Sequence, residues 1–437
     1  MVGVANSSGD HLIGSVALPR PVPPPRCALP HTGPFTTITP VPHPTQSTDP
    51  TYPTLPNIRT ALVHDWLNQS GGAEVVLGVL HDLFPAAPIF TSIFDPARVP
   101  EAVAWPVRST WMDRLPGIHA HHQPYLPLYP LAWSATRLEG YDLVLSNKSA
   151  FCHGVHTPRA VHVCYCLTPT RFVWESDEYL AHERIPAAGR LALRALLPLL
   201  RRWDLAAARR VDHFVAISTT VKERIARCYG RESTVIFPPV DLDRFNGADH
   251  PLPHADARSN GTARAGDYHL ILARLVPYKR IDLAVEAFNQ LGRNLVVVGD
   301  GRDRERLQRL AGPTVQFRGR LPQAEVVNLL ADARGLVWPG VEDFGLAPVE
   351  AMALGRPVIA RRAGGVTDTV VEGRTGIFFD QPEPAALAAA VLAADAVDWD
   401  IGIIRNHAAQ FGRDVFERQL TQFLSEALAN RRSGDCA

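Results

Sequence analysis

Apolar positions along this chain fall into two rhythms, short continuous runs and longer helical repeats, and the two alternate. Runs such as "RTALVHDWL" (59–67), "YDLVLSNKS" (141–149), "AVHVCYC" (160–166) and "VDHFVAIS" (211–218) have the length and apolarity of strands buried on both faces. After the first run, Ser70-Gly71-Gly72 opens a helix from Ala73 to Phe84, and a long helical tract runs from Ala187 to Arg210. Pro-rich stretches at 85–106 and 116–130 predict only short helices there, because proline removes a backbone donor. "STVIFPPVDLDRF" (233–245) closes this half on a proline pair.

From residue 268 the beat is regular. Strands are predicted at 268–273, 294–298, 314–317, 335–338, 357–360 and 376–379, and helices at 280–291, 302–311, 322–332, 346–354 and 384–394. Such alternation implies a parallel sheet covered on both faces. "FGRDVFERQLTQFLSEAL" (411–428) ends the pattern as an amphipathic helix with Phe411, Val415, Phe423 and Leu424 on its apolar side. The expected architecture is α/β: two doubly wound parallel-sheet domains, at 58–245 and 268–410, facing across a cleft. A polar linker at 246–267 joins them, and a helix and tail follow at 411–437. Ligands in such sheets bind outside the carboxyl ends of the strands.

Composition changes this picture in a few places. The 437 residues, at roughly 150 per domain, fit two or three domains, and 46% apolar content is ample for their cores. Lys plus Arg and Asp plus Glu each number 44, so no basic excess marks a nucleic-acid binder. Of 38 prolines, 13 lie in the first 57 residues, which read as a disordered Pro-rich extension or as a mis-assigned start. Six cysteines are too sparse for a disulfide scaffold and read as buried thiols. Cys164 and Cys166 share a strand face, but no second pair completes a zinc site. No run of about 18 apolar residues and no charged leader before Leu12–Leu18 appear, so a cytoplasmic protein is expected.

Four strand-end segments carry candidate chemistry. Ser70-Gly71-Gly72 reads either as an anion-approaching helix start or as a plain tight turn, and without Gly-Lys-Ser/Thr it is no P-loop. "LARLVPYKR" (272–280) sets Arg274 and Lys279 beyond a strand, two cations suited to a diphosphate leaving group. "WPGVEDFGLAPVEAMALGRPVIA" (338–360) places Glu342 in a loop and Glu350 inside the following helix. The backbone N–H groups of Phe344, Gly345 and Leu346 form a cradle at its start. Finally, "GDGRDRERLQRL" (299–310) and "FRGRL" (317–321) are turns that would line a nucleotide base through Gly299, Arg318 and Leu321.

Together these segments resemble the retaining GT-B glycosyltransferases of family 4, the sucrose-synthase-like and mannosyltransferase-like enzymes, over residues 58–430. The R-x4-K pair and the E-x7-E motif carry the resemblance, with "GGAE", "RVDHFVAISTTVKERI" and "VIFPPVDLDRF" in support. It implies a fold of two Rossmann-like domains whose last helix crosses back to the first. It also implies transfer of a sugar from a nucleotide diphosphate, without a metal ion. By resemblance Arg274 and Lys279 hold the diphosphate, Glu342 contacts the donor sugar beside Phe344–Leu346, Glu350 binds the ribose and Gly72 approaches from the other domain. His162 and Arg171 are candidate acceptor contacts. Enzymes of this kind usually carry histidine where this chain has Leu167, which can neither accept a hydrogen bond nor relay a proton.

The expected activity is therefore hexosyl transfer, with GDP-mannose as donor by resemblance and a saccharide or lipid-linked acceptor. The alternatives are a UDP-glucose- or UDP-GlcNAc-dependent transferase of the same fold and a catalytically silent nucleotide-sugar-binding protein, for which Leu167 speaks. A dinucleotide-dependent oxidoreductase is a poor fit, since no G-x-G-x-x-G follows the first strand. The triplets Asp241/Asp243 and Asp398/Asp400 read as structural, and His119, His121 and His122 as solvent-facing or acceptor-side residues. The tract 189–210 holds six arginines against Asp204, and reads either as a core-packed helix with a basic face or as a dock on the anionic inner face of the cell membrane.

Overall fold

The computed structural model describes residues 58–176, 187–245 and 266–434. The expected extension at 1–57, most of the linker, the last three residues, Cys27 and Cys436 lie outside the described residues.

Seven strands form the first sheet: β1 (Thr60–His64), β2 (Ile89–Thr91), β3 (Val107–Ser109), β4 (Leu143–Lys148), β5 (Val161–Cys166), β6 (His213–Ala216) and β7 (Ser233–Val235). Six form the second: β8 (His269–Leu272), β9 (Leu295–Val298), β10 (Val315–Gly319), β11 (Leu336–Trp338), β12 (Val358–Arg361) and β13 (Gly376–Phe379). Their orders are β3-β2-β1-β4-β5-β6-β7 and β10-β9-β8-β11-β12-β13, with every pairing parallel. In both sheets the chain builds outward on one side and then returns to the other. The order reverses between β1 and β4 and between β8 and β11, and at such switch points the flanking loops part to leave a crevice. Parallel strands wear helices on both faces, so β4 and β5 are buried at every residue, and their near-continuous apolar runs follow from that.

Proline breaks the segment between β1 and β4 into short pieces, as the sequence predicts. The three-residue strands β2 and β3 lie there too, and their brevity hid them. Asp400 of the second Asp-x-Asp triplet caps the helix Ile401–Ala408, accepting the Ile403 N–H at 3.0 Å, which is a structural role.

The final helix, Arg413–Gly434, returns to the first lobe. Phe416 meets the Tyr165 ring at 5.6 Å, Phe423 meets His213 at 5.9 Å, and Arg413 pairs with Asp82 at 2.9 Å. Its buried stripe is Phe416, Leu420, Leu424 and Ala427; Leu424, and Phe411 just before the helix, are buried as expected, whereas Val415 and Phe423 are half-buried. Where the chain crosses between lobes, Phe237, Phe344 and Phe411 form a ring cluster with centroids 5.3–6.0 Å apart.

The core of the first lobe carries charge. Lys148 is fully buried and donates to the Thr168 carbonyl at 3.0 Å and to Thr170 Oγ1 at 3.3 Å. Asp204, also fully buried, accepts from Trp174 Nε1 (2.7 Å), Tyr229 OH (2.9 Å) and Thr170 Oγ1 (3.2 Å). Asp65 accepts the consecutive N–H groups of Ser149, Ala150, Phe151 and Cys152 at 2.6–2.7 Å. These groups brace the loops that leave β1, β4 and β5 toward the cleft. A buried charge persists only when its partners are in place, so the network also fixes those loops.

His162 overturns one expectation. It sits at the amino-terminal end of β5, is fully buried, and meets Ser146 Oγ at 3.0 Å while its N–H donates to Asp212 at 2.7 Å. The cleft is at the opposite end of the strand, so His162 reaches no acceptor. Burial, helped by Arg210, lowers its pKa from 6.5 to about 3. The folded state therefore holds this imidazole neutral where the unfolded chain protonates it. The stability it preserves is complete above pH 6.5 and is lost as pH falls from there toward 3. Urea unfolding of the native chain should weaken by about 1.4 kcal/mol per pH unit for this group. His162→Gln should flatten that slope by one proton, and an identical slope would show that His162 titrates normally.

Candidate active site

A cleft of about 370 Å³ opens where the carboxyl ends of the two sheets face each other. One side is built by Gly72 after β1, Leu167 and Arg171 after β5, and Ile217 after β6; the other by Lys279 after β8 and by Trp338 and Glu342–Leu346 at and after β11. Both switch points contribute. A larger cavity, about 530 Å³, lies at the amino-terminal ends of β8, β11 and β12, between Asp267, Arg334 and Pro357. It surrounds the ion pairs of Asp395 with Arg293, Arg334 and His269, at the end of the sheet where α/β ligands do not bind.

Lys279 ends a 3-10 turn, Pro277–Lys279, that proline pre-shapes. Arg280 follows in the left-handed region at φ 51°, a conformation that costs a non-glycine residue energy and turns the chain into the helix Ile281–Leu291. Across from it, a Cβ at Gly340 would lie 2.8 Å from the Lys279 carbonyl oxygen, so only glycine lets the two loops touch. That approach brings Lys279 Nζ onto Glu342 Oε1, with the ammonium also over Trp338 at 5.0 Å and Tyr278 at 5.6 Å. Both side chains are largely buried, so the pair is shielded from solvent screening.

The helix Leu346–Ala353 begins after Gly345, whose φ of 92° suits glycine, and no side chain caps it. Its first N–H groups and those of the preceding turn therefore stand at the cleft wall beside Phe344 and Leu346. One turn deeper, Glu350 is half-buried and its carboxylate meets the Arg244 guanidinium of the other lobe. Burial raises the Glu350 pKa and Arg244 opposes the rise. Gly72 faces Leu346 across the gap: a Cβ there would stand 3.2 Å from Leu346 Cδ1.

Asp343 bridges the lobes. Arg171 Nη2 lies 2.7 Å from its Oδ2, and Arg224 Nη1 meets its Oδ1. The Arg171 pKa is raised, since the charge and hydrogen bond of Asp343 outweigh burial.

The structure thus gathers Gly72, Leu167, Arg171, Lys279, Glu342, Phe344, Gly345 and Leu346 at one cleft, with Glu350 just behind it. Arg274 is exposed at the end of β8, outside the cavity lining and without an ion pair among the described residues. Gly299 and Arg318 sit at the ends of β9 and β10, joined by the Gly299 N–H to Gly319 carbonyl bond of 2.8 Å. With half-buried Leu321 they form the rim next to β8 rather than the cavity itself. Asp343, Arg224 and Arg244 were not singled out from sequence. Asp343 lies inside the E-x7-E loop, but the arginines that meet it are more than a hundred residues away, and no local pattern links them.

Two family profiles match the chain, "Glycosyltransferase Family 4" over residues 70–244 and "Glycosyl transferases group 1" over 256–394. A GDP-mannose-dependent alpha-(1-6)-phosphatidylinositol monomannoside mannosyltransferase of Mycolicibacterium smegmatis is 32% identical over 219 residues, 45% of this chain and 56% of that protein. A D-inositol 3-phosphate glycosyltransferase of Streptomyces avermitilis is 33% identical over 201 residues, 40% of this chain and 43% of that protein. The matched stretch thus spans about half the length of these curated relatives. Among solved structures, HepE of Anabaena bound to UDP superimposes with a TM-score of 0.61 at 19% identity, covering 84% of this chain and all of that one. Sucrose-phosphate synthase of Thermosynechococcus elongatus gives 0.62 at 20% identity, covering 85% of this chain and all of that one. With both sheets, the reversal of strand order and the returning helix in place, the chain belongs to glycosyltransferase family 4 and has GT-B architecture.

Proposed function

We propose that this enzyme is a retaining, metal-independent hexosyltransferase that moves mannose from GDP-mannose to a saccharide or lipid-linked acceptor. In this reading residues 58–245 form the acceptor side and 268–410 the donor side. The observation that carries it is the contact of Lys279 with Glu342 at the cleft wall, beside the uncapped helix start at Phe344–Leu346. The GDP-mannose preference is supported by the similarity to the GDP-mannose-dependent mannosyltransferase of Mycolicibacterium smegmatis.

In such a transfer the bond between the anomeric carbon and the diphosphate oxygen breaks, and negative charge collects on the leaving group. Lys279 supplies a fixed cation there, with Arg274 at the adjoining strand end, and electrostatic stabilisation of this kind is usually the largest catalytic effect. Glu342 would take a hydroxyl of the donor sugar as the diphosphate takes over Lys279. Glu350 would accept the ribose hydroxyls, exchanging them for Arg244. Leu167 offers no base, so the proton of the attacking acceptor hydroxyl passes to the leaving phosphate oxygen on the same face. A second reading, a nucleotide-sugar binder without turnover, is favoured by one observation: no histidine lines the cleft among the described residues.

We also assign the helix Ala187–Ala208 to an anionic lipid surface. Leu197, Leu200, Asp204 and Ala207 face the core, while Leu191 and Leu199 stand 72% and 65% exposed beside exposed Arg190, Arg194 and Arg202. An apolar stripe flanked by cations matches the headgroup region of such a bilayer. No helix of the described residues is long and apolar enough to cross a membrane.

In a thermal-shift panel GDP-mannose should stabilise the chain more than UDP-glucose or UDP-GlcNAc, because stabilisation follows affinity. A larger shift with either UDP-sugar would overturn the donor assignment. Lys279→Ala and Glu350→Ala should each lower transfer roughly 100-fold or more with the melting curve still cooperative, and full activity of both would remove the catalytic reading. Binding of GDP-mannose with no turnover on any acceptor would favour the silent protein instead. The chain should float with vesicles containing phosphatidylglycerol and not with phosphatidylcholine alone, and Leu191→Glu/Leu199→Glu should abolish this. Flotation without dependence on anionic lipid would end the membrane assignment.

A further inference from the structure

The residue after Glu342 has no part in the chemistry above, yet it is the most heavily engaged carboxylate in the cleft. Both oxygens of Asp343 are taken by guanidinium groups of the opposite lobe, Oδ2 by Arg171 at 2.7 Å and Oδ1 by Arg224. Arg224 is itself held. Its Nε lies 3.0 Å from Glu175 Oε1, its Nη1 donates to Thr168 Oγ1 at 3.4 Å, and its side chain is 13% exposed. Thr168 and Arg171 belong to the loop that carries Leu167 to the cleft, so Arg224 ties that loop to the Glu342 loop.

A second tie runs parallel to the first. Arg224 lies on the helix Thr219–Tyr229, whose first N–H, that of Thr219, donates to Asp368 Oδ2 of the donor-side lobe at 2.7 Å. Asp368 follows Gly364-Gly365, and the Gly365 N–H donates to the Glu342 carbonyl at 2.8 Å. A Cβ at Gly365 would lie 2.3 Å from the Asp343 carbonyl oxygen, so these two donor-side loops move as one body. Two carboxylates of that body therefore grip one helix of the acceptor side.

We propose that Arg224 and Asp343 form an interdomain clamp that sets how closely the acceptor side closes over Glu342, so that both act as positioning residues for transfer. The proposal rests on the glycosyltransferase reading of this same cleft. A single exposed ion pair would be too weak to hold two lobes. Here one shielded carboxylate takes two guanidinium groups, the geometry in which charge-assisted bonds are strongest. Because Asp343 is bonded in sequence to Glu342, any widening of the gap at Asp343 shifts Glu342 relative to the acceptor-side loop at Leu167. A shift of about 1 Å in such a constellation costs on the order of 100-fold in rate.

The test uses the full chain with Arg224→Gln, Asp343→Asn and the double variant. Small-angle scattering should show a larger radius of gyration for each single variant than for the native chain. Calorimetry with GDP and UDP should give unchanged nucleotide affinity, while kcat for transfer falls about 100-fold. The double variant should lose less than the product of the two single losses, since the Arg224–Asp343 contact is removed in both. Arg224→Lys, which keeps the charge, should recover part of kcat and the native radius. Native scattering in both single variants would overturn the clamp, as would losses that multiply in the double variant or that fall on nucleotide affinity. Scattering needs no turnover: a native chain that transfers nothing would remove the catalytic reading, and the clamp would still stand or fall on the radius of Asp343→Asn.

Discussion

Three carboxylates on the second lobe's side of the cleft, Glu342, Asp343 and Glu350, each sit against a cation, and for two of them the cation belongs to the first lobe. Carboxylates this shielded are costly to leave unpaired. Widening the cleft therefore works against the pairs of Asp343 with Arg171 and Arg224 and of Glu350 with Arg244, and loss of any one of them loosens it. The width of the active site is set by charge compensation as much as by the aromatic cluster of Phe237, Phe344 and Phe411 at the crossing. The same constraint explains a neutral chain built from strongly charged parts. Its charges are matched locally, across a gap that a charged ligand would enter.

That constraint works only if the loops bearing the arginines are themselves fixed. Arg171 follows Thr168 and Thr170, and both of these are held by the buried Lys148. Asp204 binds Thr170, Trp174 and Tyr229, so the short helix at Arg171–Trp174 and the helix Thr219–Tyr229 share one buried anchor. The chain from Lys148 and Asp204 through Thr168 and Thr170 to Arg171 and Arg224 is thus continuous. Polar groups placed in a core at this cost are worth keeping when they fix one loop geometry, and here that loop is the first lobe's wall of the cleft.

What the sequence made legible follows a physical division. Strand and helix identities came through because each depends on a local run: the second sheet's strands and helices fall within a few residues of their expected places, from β8 to the helix Pro384–Ala396. The Glu342 loop, Lys279 and Gly72 were legible for the same reason, since each lies just after an apolar strand and switch-point topology does the rest. Val415 was expected on the apolar side of the last helix where Phe416 is the buried residue, because 3.6-residue periodicity leaves the two equally eligible and the Tyr165 ring decides between them. His162 looked available because strand alternation says nothing about which end of a strand faces the cleft. Arg224 and Arg244 were invisible because their meaning lies entirely in carboxylates 119 and 106 residues away.

Leu167 draws these strands of reasoning together. A histidine there would stand among charges that already balance, and could add a proton donor or acceptor to the acceptor wall. Leucine adds neither, and leaves Arg171 as the charged acceptor-side group at the cavity, with its guanidinium committed to Asp343. Among the described residues, the two cations that line the cavity, Arg171 and Lys279, are then each paired to a carboxylate. On the proposed reading a diphosphate would gain Lys279 in exchange for Glu342, and a ribose would gain Glu350 in exchange for Arg244. Donor binding at these two positions would then be an exchange of partners, with Arg274 as the one cation not already paired, among the described residues, of the two that the reading assigns to the diphosphate. Such an exchange would reward a ligand that supplies the anion and the hydroxyls together.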